Sequence, residues 1–108
     1  MDLAQKKCVP CESGATPLTQ GEAQTMLAQI QGWTLAPDSK KISKRFKFKD
    51  FVEAMDFANK ITPIAEAEGH HPDLSIGWGK VVVELTTHVI KGLSENDFIL
   101  AAKIDRIA

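Results

Sequence analysis

Apolar residues in this chain change their spacing several times, and the order of those changes limits the fold more tightly than any single motif. Thr19 and Glu22 form a capping-box pair, and Ala23, Met26, Leu27 and Ile30 follow at helical spacing. A first helix is therefore predicted, closed by Gly32. Residues 33–35 predict a short strand, and Pro37, Asp38 and Ser39 a turn. Ile42, Lys44, Phe46 and Phe48 alternate with Ser43, Arg45 and Lys47, the period of a half-buried strand. Lys44 shares the parity of the apolar residues, which points to a strand edge.

Asp50 can cap a second helix. Phe51, Met55, Ala58, Ile61 and Ala65 recur every three or four residues, and Ala54, Phe57 and Ile64 widen the stripe. Pro63 removes one backbone donor inside it and is expected to bend its last third. Gly69 ends it. Residues 73–76 start a strand, residues 77–80 supply a turn, and Val81, Val83 and Leu85 alternate with Val82, Glu84 and Thr86, together predicting a hairpin. Ser94 and Asp97 repeat the capping pattern, with Leu93 and Phe98 as a hydrophobic staple. Ala101, Ala102, Ile104 and Ile107 carry the last helix to the end. The predicted fold is α+β: a single domain with a four-stranded antiparallel sheet and three helices packed on one face, in the order α-β-β-α-β-β-α. One uncovered sheet face and short edges predict self-association, as a homodimer or homotetramer. Residues 1–17 show no apolar period and read as an irregular, partly mobile leader; the folded body is expected over residues 18–108.

The chain has 108 residues, 44% hydrophobic and 25% charged, with a net charge of −1. That balance argues against nucleic acid or an anionic membrane as a general partner. No apolar run approaches a membrane span, and no apolar segment follows the charged N-terminus as in a secretory signal. Two cysteines in such a chain do not make a disulfide framework, so a cytoplasmic protein is expected.

All three histidines, His70, His71 and His88, fall in one short C-terminal segment. Imidazole titrates near neutrality, so this concentration points to proton transfer or metal binding. Pro72 forces His71 to be extended and turns the chain at a corner. A hairpin turning over residues 77–80 would bring His88 back toward that corner. If the second helix reaches His70, Glu66 lies one turn before it and would orient it or favour its charged form. Zinc is the weaker reading, because adjacent histidines diverge and an i, i+4 histidine pair is absent.

The run Glu66-x-x-x-His70-His71-Pro72, followed by Trp78, His88 and Asp97, resembles the signature of the pterin-4a-carbinolamine dehydratases. Gly32-Trp33, the segment Phe46-Lys47-Phe48-Lys49-Asp50-Phe51 and Gly92-Leu93-Ser94-Glu95 are similar to further landmarks of that family, and the cysteine-bearing leader to its bacterial members. The resemblance covers residues 18 to 108. It implies dehydration of 4a-hydroxytetrahydropterin to quinonoid dihydropterin and water, which recycles the cofactor of aromatic amino acid hydroxylases. It implies no metal and no organic cofactor, and a functional link to phenylalanine hydroxylase.

Carried over by position, His70 and His88 would be the acid and base, in either order. His71 would contact and orient the pterin, and Glu66 would tune His70. Asp97 is open to two roles, fixing an imidazole tautomer and capping the last helix. Trp33 is either a wall for the flat ring or plain core. Asp73, Leu74 and Ser75 would lend groups to the pterin's amide and amine edge. Trp78 belongs to the signature but sits at a hairpin turn. Cys8-x-x-Cys11 has a redox- or metal-like form, yet one such pair in a loop is weak evidence, and two free thiols are expected. Two other roles compete: a dimerisation or coactivator module, known among animal relatives, and a dehydratase-like role in molybdopterin metabolism.

Overall fold

Three of the expected helix starts are local contacts that the structure can test directly. The computed structural model describes residues 3–9 and 15–108. Helix α1 spans Gln20–Leu27, with Glu22 N–H donating to Thr19 Oγ1 at 3.2 Å and Thr19 N–H to Glu22 Oε1 at 2.9 Å. Helix α2 spans Phe51–Glu68 and starts at Asp50, whose Oδ1 accepts from Glu53 N–H at 2.9 Å. Helix α3 spans Glu95–Ile107, and Asp97 Oδ2 accepts from Ser94 N–H at 3.0 Å. Each acidic side chain satisfies a donor that the helix itself leaves open.

Strands β1 (Thr34–Leu35), β2 (Ile42–Lys47), β3 (Asp73–Gly77) and β4 (Lys80–Leu85) form one antiparallel sheet in the order β1-β2-β4-β3. β2 pairs with β4 along its whole length, Ile42 opposite Leu85 and Phe46 opposite Val81. Ile42, Phe46, Val81, Val83 and Leu85 therefore share one buried face. Against it lie the helices, with Phe57 of α2 and Phe98, Leu100 and Ile104 of α3 in one continuous core. The Phe57 ring stacks obliquely between Phe46 and Phe48, at 4.7 and 5.1 Å. The α+β architecture with three helices on one sheet face is thus the observed one.

Several local expectations change. α1 stops at Leu27 rather than at Gly32, because the N–H groups of Gln29 and Ile30 reach back only three residues, to Met26 and Leu27. Gly32 still provides a left-handed turn (φ +80°) into β1. The buried stripe of α2 is Ala54, Phe57, Ala58, Ile61 and Ala65; Phe51, expected on it, is exposed in the first turn. The helix continues through Pro63 to Glu68. Lys44 lies on an inner strand, yet β1 covers only Ile42 and Ser43, so Lys44 stands beyond the end of β1. Its ammonium reaches Asp105 Oδ1 and Gln31 O, both at 2.9 Å, while its stem lies over the buried face.

The hairpin of β3 and β4 turns at Trp78 and Gly79, and its tip is tied to the end of β2. Phe48 N–H donates to Gly79 O at 2.8 Å, and a Cβ on Gly79 would come within 2.9 Å of Phe48 O. Only glycine permits that approach. Residues 3–9 run along α3. Leu3 opens a short 3-10 turn, Leu3–Gln5, and is buried, and Lys103 Nζ donates to Ala4 O at 3.0 Å. No helix among the described residues is long and apolar enough to cross a membrane.

Candidate active site

Gly69 decides where the two adjacent histidines go. It caps α2 in the left-handed conformation (φ +63°), and both its N–H and that of His70 bond to Ala65 O. The chain leaves the helix before His70, so His70 is no longer one turn above Glu66. His70 turns inward and is nearly covered, with Nε2 at 2.6 Å from Asp97 Oδ1. His71 faces back toward the helix, and its Nε2 lies 2.5 Å from Glu66 Oε2. The expected Glu66–His70 contact is therefore replaced by Glu66–His71. That pair is well exposed, a setting in which ion pairs contribute little to stability.

Asp97 is completely buried. A buried carboxylate is costly unless donors surround it. Here Oδ2 accepts from Thr87 Oγ1 at 2.8 Å and from Ser94 N–H at 3.0 Å, and Oδ1 faces His70. The first turn of α3 adds the positive end of its peptide dipoles. Thr87 is itself buried and spends its proton on Asp97, so the contact of 2.8 Å between Thr87 Oγ1 and Ser94 Oγ is donated by the serine. Where Asp97 is a carboxylate it can only accept, and the tautomer of His70 that bonds to it is the one carrying Nε2–H. Nδ1 is then the imidazole nitrogen left for a ligand.

His88 follows β4 on a different kind of support. Thr87 and Gly92 form an isolated bridge, Thr87 N–H donating to Gly92 O at 2.8 Å, and the loop between them holds the 3-10 turn His88–Ile90. The His88 ring is largely exposed, 3.8 Å from Asp73 Oδ2. All three imidazoles nevertheless line one open cleft of about 520 Å³, together with Glu66, Cys8 and Val9. Thr87 and Asn96 also reach its surface.

Not every candidate joins them. Trp33 is a core residue: it is buried, meets Phe46 edge to face, and donates Nε1–H to Asp105 Oδ2 at 3.0 Å. It stands just before β1 and does not line the cleft. Asp73 approaches the site only through His88. Leu74 packs on the core and Ser75 is exposed on the opposite sheet face, because consecutive strand residues alternate sides. Neither lines the cleft. Trp78 is exposed at the hairpin tip. Among the described residues no group of histidine, cysteine and carboxylate side chains is arranged to hold a metal ion.

The N-terminal residues of the cleft escaped the sequence reading. Cys8 N–H donates to Glu68 Oε1 at 2.7 Å, and its thiol contacts Asn96 O at 3.6 Å. Burial pushes that thiol up to about 12, and the neighbouring Glu68 charge adds to the effect. The same Cys8 N–H, with Lys103 beyond it, holds Glu68 below the usual carboxylate range. Cys8 is thus a poor nucleophile. Cys11 lies outside the described residues.

The cleft thus gathers three imidazoles, one of them fixed by a buried carboxylate, on a four-stranded sheet backed by helices. Residues 16–107 match the family described as pterin 4 alpha carbinolamine dehydratase. A protein of Halorhodospira halophila, provisionally named as such a dehydratase, is 49% identical over 99% of this chain and 98% of its own. One of Methylococcus capsulatus, named likewise, is 50% identical over 98% of this chain and 93% of its own. The crystal structure of a transcriptional coactivator/pterin dehydratase from Brucella melitensis superposes with a TM-score of 0.81 at 34% identity, covering 86% of this chain and 99% of that one. A pterin dehydratase-like RuBisCO assembly factor of the alpha-carboxysome shares the fold, with a TM-score of 0.62 at 23% identity over 72% of this chain and 90% of its own. The chain belongs to the pterin-4a-carbinolamine dehydratase family, and by that membership it is an enzyme of the hydro-lyase class.

Proposed function

We propose that the cleft dehydrates a 4a-hydroxytetrahydropterin to the quinonoid dihydropterin and water. The C4a–O bond breaks as the hydroxyl takes a proton and leaves as water. A ring nitrogen gives up its proton, and the electrons of that N–H bond close the new double bond. The protein supplies one proton and receives one, so no external oxidant or reductant is needed. His70 serves as the base through Nδ1, because Nε2–H is engaged by Asp97. His88, exposed and beside Asp73, serves as the acid. His71, steadied by Glu66, orients the pterin.

The observation that carries this reading is the convergence of His70, His71 and His88 on one cleft, with His70 held by a fully buried Asp97. General acid–base help of this type contributes about 10² to 10⁴-fold. Stopped-flow dehydration of 4a-hydroxytetrahydrobiopterin tests it. His70→Ala and His88→Ala should each slow turnover by about 10²-fold or more, and Glu66→Ala by only a few-fold. Wild-type turnover in both histidine variants would remove the assignment.

The same reading places the enzyme in the cytoplasm, regenerating the cofactor of aromatic amino acid hydroxylases such as phenylalanine hydroxylase. Self-association into a homodimer or homotetramer is supported by the exposure of Phe51, Val52, Ile76 and Trp78. Gel filtration with light scattering checks it.

A further inference from the structure

The segment 3–9 lies outside the residues that match the family, yet it reaches the histidine cleft. Besides the bond from Lys103 to Ala4 O, four contacts fasten it. Leu3 is buried in the core. Lys6 Nζ meets Glu95 Oε2 at 3.1 Å. Cys8 N–H donates to Glu68 Oε1 at 2.7 Å. Asn96 grips Val9 from both sides, its Oδ1 accepting from Val9 N–H at 3.0 Å and its Nδ2 donating to Val9 O at 2.6 Å.

These contacts fix the backbone of Val9 and leave its side chain free. Asn96 is only 4% exposed, so its amide uses the strap to satisfy groups that water reaches poorly. The Val9 side chain by contrast is an exposed aliphatic group, 65% accessible, on the rim of the cleft that holds the three imidazoles. Val89 is the second large aliphatic side chain there that is exposed, at 47%. Flat heterocycles are held by apolar contacts to their faces and by a few polar groups at their edges. A fixed backbone presenting a bare apolar side chain offers the first kind of contact with little ordering cost on binding.

We propose that the N-terminal strap is a wall of the pterin site, with Val9 as its contact to the ring and Asn96 as the residue that positions it. The strap sets how tightly the pterin is held and takes no part in proton transfer. This rests on the dehydratase reading above.

The test uses the full chain, with turnover of 4a-hydroxytetrahydrobiopterin and direct titration with 7,8-dihydrobiopterin. Val9→Asp keeps the fold, since the side chain is exposed, and should raise KM and the dihydrobiopterin Kd about tenfold, with kcat within about twofold of wild type. Asn96→Ala should raise both in the same way and speed amide exchange at Cys8 and Val9. A fall in kcat without a change in KM would overturn the proposal, as would wild-type KM and Kd in both Val9→Asp and Asn96→Ala. If the wild type dehydrates the substrate and binds dihydrobiopterin but the variants match it, the strap proposal alone fails. If the wild type does neither, the pterin reading fails and the strap proposal falls with it.

Discussion

Helix α3 carries two aspartates, Asp97 in its first turn and Asp105 near its end, and each accepts a hydrogen bond from a ring N–H of another element. Asp105 takes the indole of Trp33 at 3.0 Å and the ammonium of Lys44 at 2.9 Å, and its side chain remains 25% exposed. The cluster is a clamp between α3, β2 and the segment before β1. Asp97 is fully buried, and its donors are a hydroxyl, a backbone N–H and an imidazole. Among the described residues no lysine or arginine pairs with it. The same residue type at the two ends of one helix thus ties Trp33 and Lys44 at one end and holds the imidazole of His70 at the other.

Exchanging carboxylate for amide separates the two roles. Asp97→Asn is expected to cut kcat by about 10²-fold or more, because the amide no longer dictates Nε2–H on His70. Asp105→Asn should leave kcat unchanged and cost about 1 kcal/mol, read as a fall in Tm of about 4–8 °C. Equal losses of turnover in both would erase the contrast. A smaller effect is expected one step further out. Thr87→Val removes one donor from Asp97 while keeping the shape, and should lower kcat about tenfold with a changed pH profile for kcat/KM. Thr87→Ser should restore both, which a purely structural role for the methyl group would not explain.

The smallest effect concerns Glu68, which folding holds below its ordinary value of 4.5 through the Cys8 N–H. In the acid range the unfolded chain then binds more protons than the folded one. The resulting stability is present above 4.5 and is lost as pH falls through the lowered folded value. Glu68→Gln should flatten that acid limb in urea titrations run at a series of pH values. The raised Cys8 thiol has the opposite sense: its contribution is lost as pH climbs from 9.0 toward about 12. Alkylation of the folded protein by iodoacetamide at pH 8 should accordingly be slow compared with the urea-unfolded chain.

The parts of this fold that could be read from sequence are those with local causes. The starts of α1, α2 and α3 are set by side chains within three residues of the cap, and the β3–β4 hairpin by its alternation and short turn. The histidine cluster was equally visible. Pairings decided across the fold were not. Spacing suggested Glu66 for His70, but the backbone at Gly69 takes His70 off the helix. Trp33 had two readings until Asp105, distant in sequence, claimed its N–H. That Asp97 would be buried depends on the end of β4 meeting the start of α3. Val9 and Asn96 meet only because the first residues fold back along the last helix, which no periodicity announces.

One backbone angle also governs which acid each imidazole meets. A Cβ on Gly69 would touch nothing within 4 Å, so the only penalty for alanine is the left-handed conformation itself, about 1–2 kcal/mol. A residue that relaxed this angle would carry the helix onward, swing His70 up toward Glu66 and leave Asp97 facing no imidazole. The stop signal of a helix therefore doubles as the alignment screw of the His70–Asp97 contact, and asparagine, at home in left-handed backbone, is the substitution expected to keep that setting.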